Sequence, residues 1–531
     1  MARRTLGVVF RGWLIALAAA ASFSVAIMSI GAGPLAVYDS ALPSTLNPLY
    51  ARSMVDRRVH ELIFDRLYWR SAITSEVRSR LVAKGTALSD GLQWKMNLVP
   101  GLTWSDGESL GPEDVCFTVR TLLDVRNGSP VAAGFRDVLA SCSVEKKDNS
   151  ATVTFTRPLY NPADRLSFHV LPAHVFDEEL IAPDHAFSTR PTGSGAMQGN
   201  LGRREIKLTA RRSVQHPSAL AEMIVSEGGD PLVQVRTLLN GGVHGLISVA
   251  PPLRTEVAAS DEVALKGYDL QSWWFAALNP RTLTKDMRAA LDLSLDRWQL
   301  RELTMGFDPE EPSPACVLIS GPFVPSSPFY NRAIRVAERS DMAGVRRQMT
   351  AAGATMEVGR WVRNGRPVDL RIGMMSSLDV EARDLLNQVG NQLQAAGFGR
   401  NVFRVSTDDW NTRVLTGQMA DEADVLIGKW SFGAAENVNA LFETRHGGLG
   451  SLNIFGFSDP TVDKLVGNYN AARTDTEAAN AYHELHRSLA DSHPYLFLWK
   501  LDTRSAWRNE VHHNVISPYW YFTEFDGWTL R

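Results

Sequence analysis

Between Gln93 and Leu98 the chain alternates, with Trp94, Met96 and Leu98 on one side and Gln93, Lys95 and Asn97 on the other. That period of two predicts a half-buried strand. Pro100 and Gly101 end it, and a second short strand, predicted at Leu102–Trp104, runs into Ser105, Asp106 and Gly107, where glycine accepts the positive φ of a tight turn. Pro112, Glu113 and Asp114 supply the proline and negative charge favoured in a first helical turn, ahead of Val115, Phe117, Val119 and Leu122. Further strands are predicted at 34–38, 152–156, 206–210, 244–249, 367–372 and 425–427. Val59, Leu62, Ile63 and Leu67 predict an amphipathic helix over 57–67, and others are predicted at 230–239, 341–352 and 382–396, the last two closed by Gly353 and Gly397.

Taken together, the strand, Gly101, Trp104, Asp106 and Gly107, and then the helix opening with Glu113, Asp114, Val115 and Phe117, resemble the signature of family 5 extracellular solute-binding proteins, the peptide and nickel receptors of ABC importers. Several later segments are similar to the same family: Leu171, Pro172, His174 and Val175; Arg288 to Asp296 and Arg297; Asn453, Gly456, Asp459, Pro460 and Asp463; and Pro494 to Trp499. Pro191 to Gly195 matches its turn incompletely, since Ala196 and Met197 replace the usual Pro-Tyr. The resemblance covers nearly the whole chain after its first residues. It implies an α/β, two-lobed periplasmic-binding-protein fold of class II, large cluster, with an extra subdomain in lobe I. Lobe I is expected at 34–280, including an inserted subdomain at about 60–190, lobe II at 281–498, and a return to lobe I at 499–531. Two strands are expected to cross between the lobes near Ala276 and Leu498. The function implied is capture of a peptide or peptide-like small solute by a monomer, without catalysis or a cofactor, and delivery to ABC permease subunits in the membrane.

Length and composition agree with a multidomain globular chain: 531 residues, 44% of them hydrophobic, can bury more than one core. Lys and Arg number 55 against 58 Asp and Glu, a net charge of −3, and no basic stripe with interleaved aromatics suggests nucleic acid as a partner. Arg3, Arg4 and Arg11 precede an uncharged run from Gly12 to Tyr38, the order of an export signal. Residues 1–26 are read as a signal peptide cleaved after Ala26, with a rival position near Ala32; the alternative is an uncleaved membrane anchor, because the run is long enough to span a bilayer. Either way the location expected is periplasmic. Cys116, Cys142 and Cys316 are too few for a disulfide framework or a four-thiolate zinc site, leaving open one Cys116–Cys142 bridge or three buried thiols.

Residues that could carry chemistry are few. His483, Glu484 and His486 fall one residue short of the zinc-binding His-Glu-x-x-His spacing and are read as a solvated helix face. Gly193, Ser194 and Gly195 form neither a nucleophile elbow nor a dinucleotide loop and are read as a turn. Trp273 and Trp274 point to opposite faces of a strand, so one can enter a core while the other faces the cleft. Trp430, with Ser431 and Phe432, resembles the family's cleft-lining tryptophan segment. In the family's peptide receptors an aspartate three residues after that tryptophan pairs with the ligand's α-ammonium, but this chain has Gly433. Glu436 could substitute from the same loop, or stand exposed in it; Asn279 and Asn439 could satisfy polar ligand groups. The ligand set expected is therefore Trp273, Trp274, Asn279, Trp430, Phe432, Glu436 and Asn439. The competing class is an exported receptor or scaffold that keeps the fold without transport; a periplasmic hydrolase stands third, with no nucleophile and oriented base to support it.

Overall fold

Two large mixed sheets organise the chain. The computed structural model describes residues 33–531 apart from 75, 160, 177–179, 218–219, 269–271, 306–315, 381, 383, 432–437, 448–451, 502 and 518–519, so the expected leader lies outside the described residues. Among those described, no helix is long and apolar enough to cross a membrane.

The first sheet has seven strands in the order Val263–Tyr268, Thr503–Arg508, Gly245–Leu246, Leu35–Asp39, Glu222–Glu227, Glu205–Ala210 and Met197–Gly199. Leu35, Val37 and Asp39 are its alternate buried positions on the central strand, which runs parallel to Glu222–Glu227. The strand expected over 244–249 is reduced to Gly245–Leu246. The helix Met54–Ile63 starts three residues before the expected position because Ser53 and Asp56 form a capping box: Asp56 N donates to Ser53 Oγ at 3.0 Å and Ser53 N to Asp56 Oδ2 at 2.9 Å. It stops before Leu67, since Phe64 is already extended. Arg58 on this helix clamps Asp39 with two bonds of 2.6 and 2.7 Å, fixing helix to sheet.

A four-stranded antiparallel unit is inserted between these elements, in the order Val82–Leu88, Gln93–Leu98, Ser150–Phe155 and Leu139–Glu145. Met96 and Leu98 are buried as the alternation predicts, with Trp94 half-buried beside them. The helix Pro112–Leu123 packs on this sheet through Val115, Cys116, Val119 and Leu122. Cys116 on the helix is bridged to Cys142 on the strand, their Cα atoms 5.1 Å apart, which settles the pairing left open by the sequence. Cys316 is buried and outside the disulfide. The inserted unit and the first sheet share one hydrophobic core. Gly193 and Gly195 are required at their joint rather than by a turn: a Cβ on either would stand 2.2 Å from Ile63 O or 2.6 Å from Ile63 C. Gly195 N instead donates to Ile63 O at 2.8 Å, and Asp65 N to Ser194 Oγ at 2.8 Å.

The second sheet has six strands in the order Cys316–Leu318, Tyr495–Leu501, Ser272–Leu278, Val425–Ser431, Asp369–Met375 and Gly399–Val405. Its two faces carry separate cores, one under the helices Lys285–Ser294, Met342–Ala351 and Leu385–Ala395, the other under Pro460–Ala471 and Asp475–Ser492. Ala276 and Leu498, near which the crossings are expected, lie in the second sheet a few residues from where the chain changes sheets, and Ala276 pairs there with Leu496. The chain changes sheets between Tyr268 and Ser272 and returns between Leu501 and Thr503. The C-terminal residues Tyr521, Phe522, Phe525 and Trp528 then pack into the first core.

Candidate functional site

The central strands of the second sheet build an apolar pocket. Along Val425–Ser431, Val425 and Ile427 enter the core on one face while Leu426 and Trp430 turn to the other. Register places Gly428 opposite Phe275, and a Cβ there would stand 2.8 Å from the Phe275 ring, so glycine leaves that ring its place. Phe275 stacks on Tyr495 with centroids 4.6 Å apart and planes at 18°. Phe275, Trp410, Trp430, Leu441, Ile454 and Tyr495 enclose about 200 Å³. Leu452, 47% exposed, also lines it.

Its polar groups are few. Lys429 lines the pocket, and no described lining residue is a carboxylate. Asn453 is held by its own loop, donating to Phe457 O and accepting from Phe457 N, both at 2.8 Å. Burial pushes the Tyr495 phenol above its ordinary range, which keeps it neutral at physiological pH. Such a surface gains by covering an apolar or aromatic group. A larger, open depression of about 620 Å³ runs along the edge strand Met197–Gly199 and its neighbour Glu205–Ala210, lined partly by the paired Glu205 and Lys207 at 3.2 Å.

The expected ligand residues divide. Trp430 lines the pocket. Trp273 and Trp274 do face opposite ways, but both are 0% exposed, because the sheet is covered on both faces and each ring enters a core. Asn279 is also fully buried, and its amide donates to Ala420 O at 2.8 Å and Ala423 O at 2.9 Å, pinning a chain turn rather than facing solute. Asn439 is buried at the start of the short helix Asn439–Phe442, whose Leu441 reaches the pocket. Phe432, Gly433 and Glu436 lie outside the described residues. Phe275, Tyr495 and Trp410 escape the sequence reading; the first two meet only through strand register across more than two hundred residues, and periodicity carries no such signal. His486 corrects another expectation: it faces the core, accepting at Nδ1 from Asn331 N at 3.0 Å, and burial pulls it down to about 4. Among the described residues no group of three or more His, Cys, Asp or Glu could hold a metal ion.

Two sheet-centred units, one with an inserted subdomain, joined by two passages and carrying an aromatic pocket, define a two-lobed α/β binding protein. The chain belongs to the bacterial extracellular solute-binding proteins, family 5 Middle, which it matches over residues 76–450. Solved structures share the fold. The oligopeptide-binding protein AppA from Bacillus subtilis, in complex with a nonapeptide, is 17% identical with a TM-score of 0.77, covering 94% of this chain and 99% of its own. NikZ from Campylobacter jejuni, in complex with Ni(L-His), is 17% identical with a TM-score of 0.75, covering 93% and 99%. The periplasmic EDTA-binding protein EppA is 17% identical with a TM-score of 0.79, covering 94% and 97%. No curated protein sequence matches the chain.

Proposed function

We propose that this protein is the substrate-binding component of an ABC importer, capturing a peptide or peptide-like solute between two lobes and handing it to a membrane permease. The aromatic pocket at Trp430, in a chain of this family, is the observation that carries the reading. Lobe I would comprise the seven-stranded sheet with its inserted unit and C-terminal return, and lobe II the six-stranded sheet. A solute touching both lobes binds the closed state better than the open one, and that difference drives closure. Phe275, Trp430 and Tyr495 would hold an apolar side chain, while backbone amides and trapped water satisfy polar groups with loose sequence preference. Export as a monomer places it where such solutes arrive.

Native mass spectrometry of residues 27–531, purified gently from the organism's own cells, tests this. A retained mass that fragments as a peptide supports the proposal, and a retained non-peptide mass redirects the solute class. A bare chain that also gains no mass from peptide mixtures overturns it.

A further inference from the structure

The helix Met342–Ala351 of the second unit leads into a small antiparallel sheet of Ala354–Glu357, Arg360–Arg363 and Arg366–Pro367. Its place is fixed by Trp361, buried with Nε1 donating to Ala396 O at 2.9 Å, and by Arg363, whose Nε donates to Ala352 O at 2.8 Å. Two-residue turns join its strands. Asn364 and Gly365 turn at φ of 54° and 73°, the pair a tight hairpin favours. The other turn places Val358 at a φ of 47° before Gly359 at 77°. Among the eight described non-glycine residues at positive φ, Val358 alone is β-branched, the side chain that fits this conformation worst. The fold gains nothing in return, because Val358 is fully exposed, and Met356, two residues earlier, is 45% exposed.

A second local cost lies at the far end of the same sheet, where register sets Arg363 directly opposite Arg366 and the like charges repel. Neither makes an ion pair among the described residues, nor does Arg346 on the preceding helix. Residues 332–366 hold eight arginines, no lysine and three carboxylates, a charge of +5 in a chain whose total is −3. All of these arginines except Arg363 are exposed. Guanidinium groups match phosphates through paired bonds, and several together attract an anionic surface that any one of them would hold weakly. A single valine is too small to anchor a protein interface of standard size, but it can enter the interfacial layer of a bilayer.

We propose that this arginine-bearing hairpin is a docking surface for an anionic bilayer, with Val358 entering the headgroup layer and the unpaired Arg346, Arg363 and Arg366 attracted by its phosphates. The strained turn and the like-charge pair are then costs the second unit bears for a contact outside the chain. None of these residues lines the aromatic pocket, so contact with lipid leaves that pocket open. The docking itself stands apart from solute capture. Its use, keeping the protein beside the permease it serves, rests on the importer reading.

Flotation of residues 27–531 with vesicles tests the assignment, comparing pure phosphatidylcholine with an equal mixture of phosphatidylcholine and phosphatidylglycerol. Binding to the anionic vesicles that is about tenfold or more tighter than to the neutral ones, and that falls as salt is raised, supports it. Replacing two exposed arginines together, Arg346→Gln with Arg366→Gln, should weaken that binding about tenfold. Val358→Asn should weaken it severalfold while raising the melting temperature, since asparagine takes the left-handed turn with less strain. Any contribution from the first residues is common to all three proteins and cancels in the comparison. Equal binding to both vesicles, binding to neither, or anionic binding left unchanged in either variant overturns the inference. Solute capture is untouched by these outcomes and is decided by the retained mass.

Discussion

His216 is pressed between two carboxylates, Nε2 3.0 Å from Asp65 and Nδ1 2.6 Å from Asp526, and Arg80 closes the group at 2.7 Å from Asp526. Burial alone lowers its pKa, but the pull of Asp65 and then Asp526 outweighs it and pushes it up to about 9. Because the folded value lies above the unfolded one, the stabilisation is fully present below about pH 6.5 and is lost as pH rises through about 9. Its size is on the order of 3 kcal/mol. Thermal melts from pH 6 to 10 should therefore show a loss that His216→Gln flattens; parallel curves for the two proteins would remove His216 from the account. At the pocket, Trp430→Ala should weaken solute binding about tenfold, because a stacking wall is lost, while the half-buried position leaves the melting temperature nearly unchanged. Unaltered affinity by titration would take Trp430 out of the site. Alternation shows that Trp273 and Trp274 point oppositely, but not that helices cover both sides.

At the scale of elements, the helix Pro112–Leu123 and the strand Leu139–Glu145 are joined by packing and by the Cys116–Cys142 bridge. Closing a loop of 26 residues restrains the unfolded chain by roughly 3 kcal/mol. Cys142→Ser, or reduction of the native protein, should lower the denaturation midpoint by a corresponding amount. Thiol titration of the denatured, unreduced chain should find only Cys316; three reactive thiols would refute the bridge. Element boundaries are legible where a local device sets them. Asp230 accepts from Leu232 N and Val233 N to start the helix Pro231–Leu239, and Pro112 opens its own. They are harder to place where the device is a side-chain pair rather than a periodicity, as with Ser53 and Asp56. The strand expected at Leu102–Trp104 is reduced to a bridge between Thr103 and Ser109 in a tight hairpin, closed on either side by Trp104 N donating to Glu108 O at 2.8 Å and Leu110 N to Leu102 O at 3.0 Å.

For the whole molecule, the sheets are separate bodies linked at 268–272 and 501–503, and the charged junction of Asp137 with His446 and Arg165 with Tyr469 joins the inserted unit to the second. If solute bridges the lobes, small-angle scattering should report a smaller radius of gyration on adding the retained solute. The melting temperature should rise with solute concentration, as mass action requires when only the folded state binds. A rise in stability with no compaction would confine binding to one lobe. The sequence by itself determined the mixed α/β class, most helix and strand positions and the family resemblance, because periodicity, caps and turn residues act over a few positions. Only the tertiary structure decided that Trp273, Trp274 and Asn279 are interior, that Gly193 and Gly195 serve a close approach, that Cys116 meets Cys142, and that Phe275, Trp430 and Tyr495 share a pocket. The reason is physical: burial, register and charge pairing depend on which distant segment comes to cover a residue, and that partner is chosen by packing the whole chain.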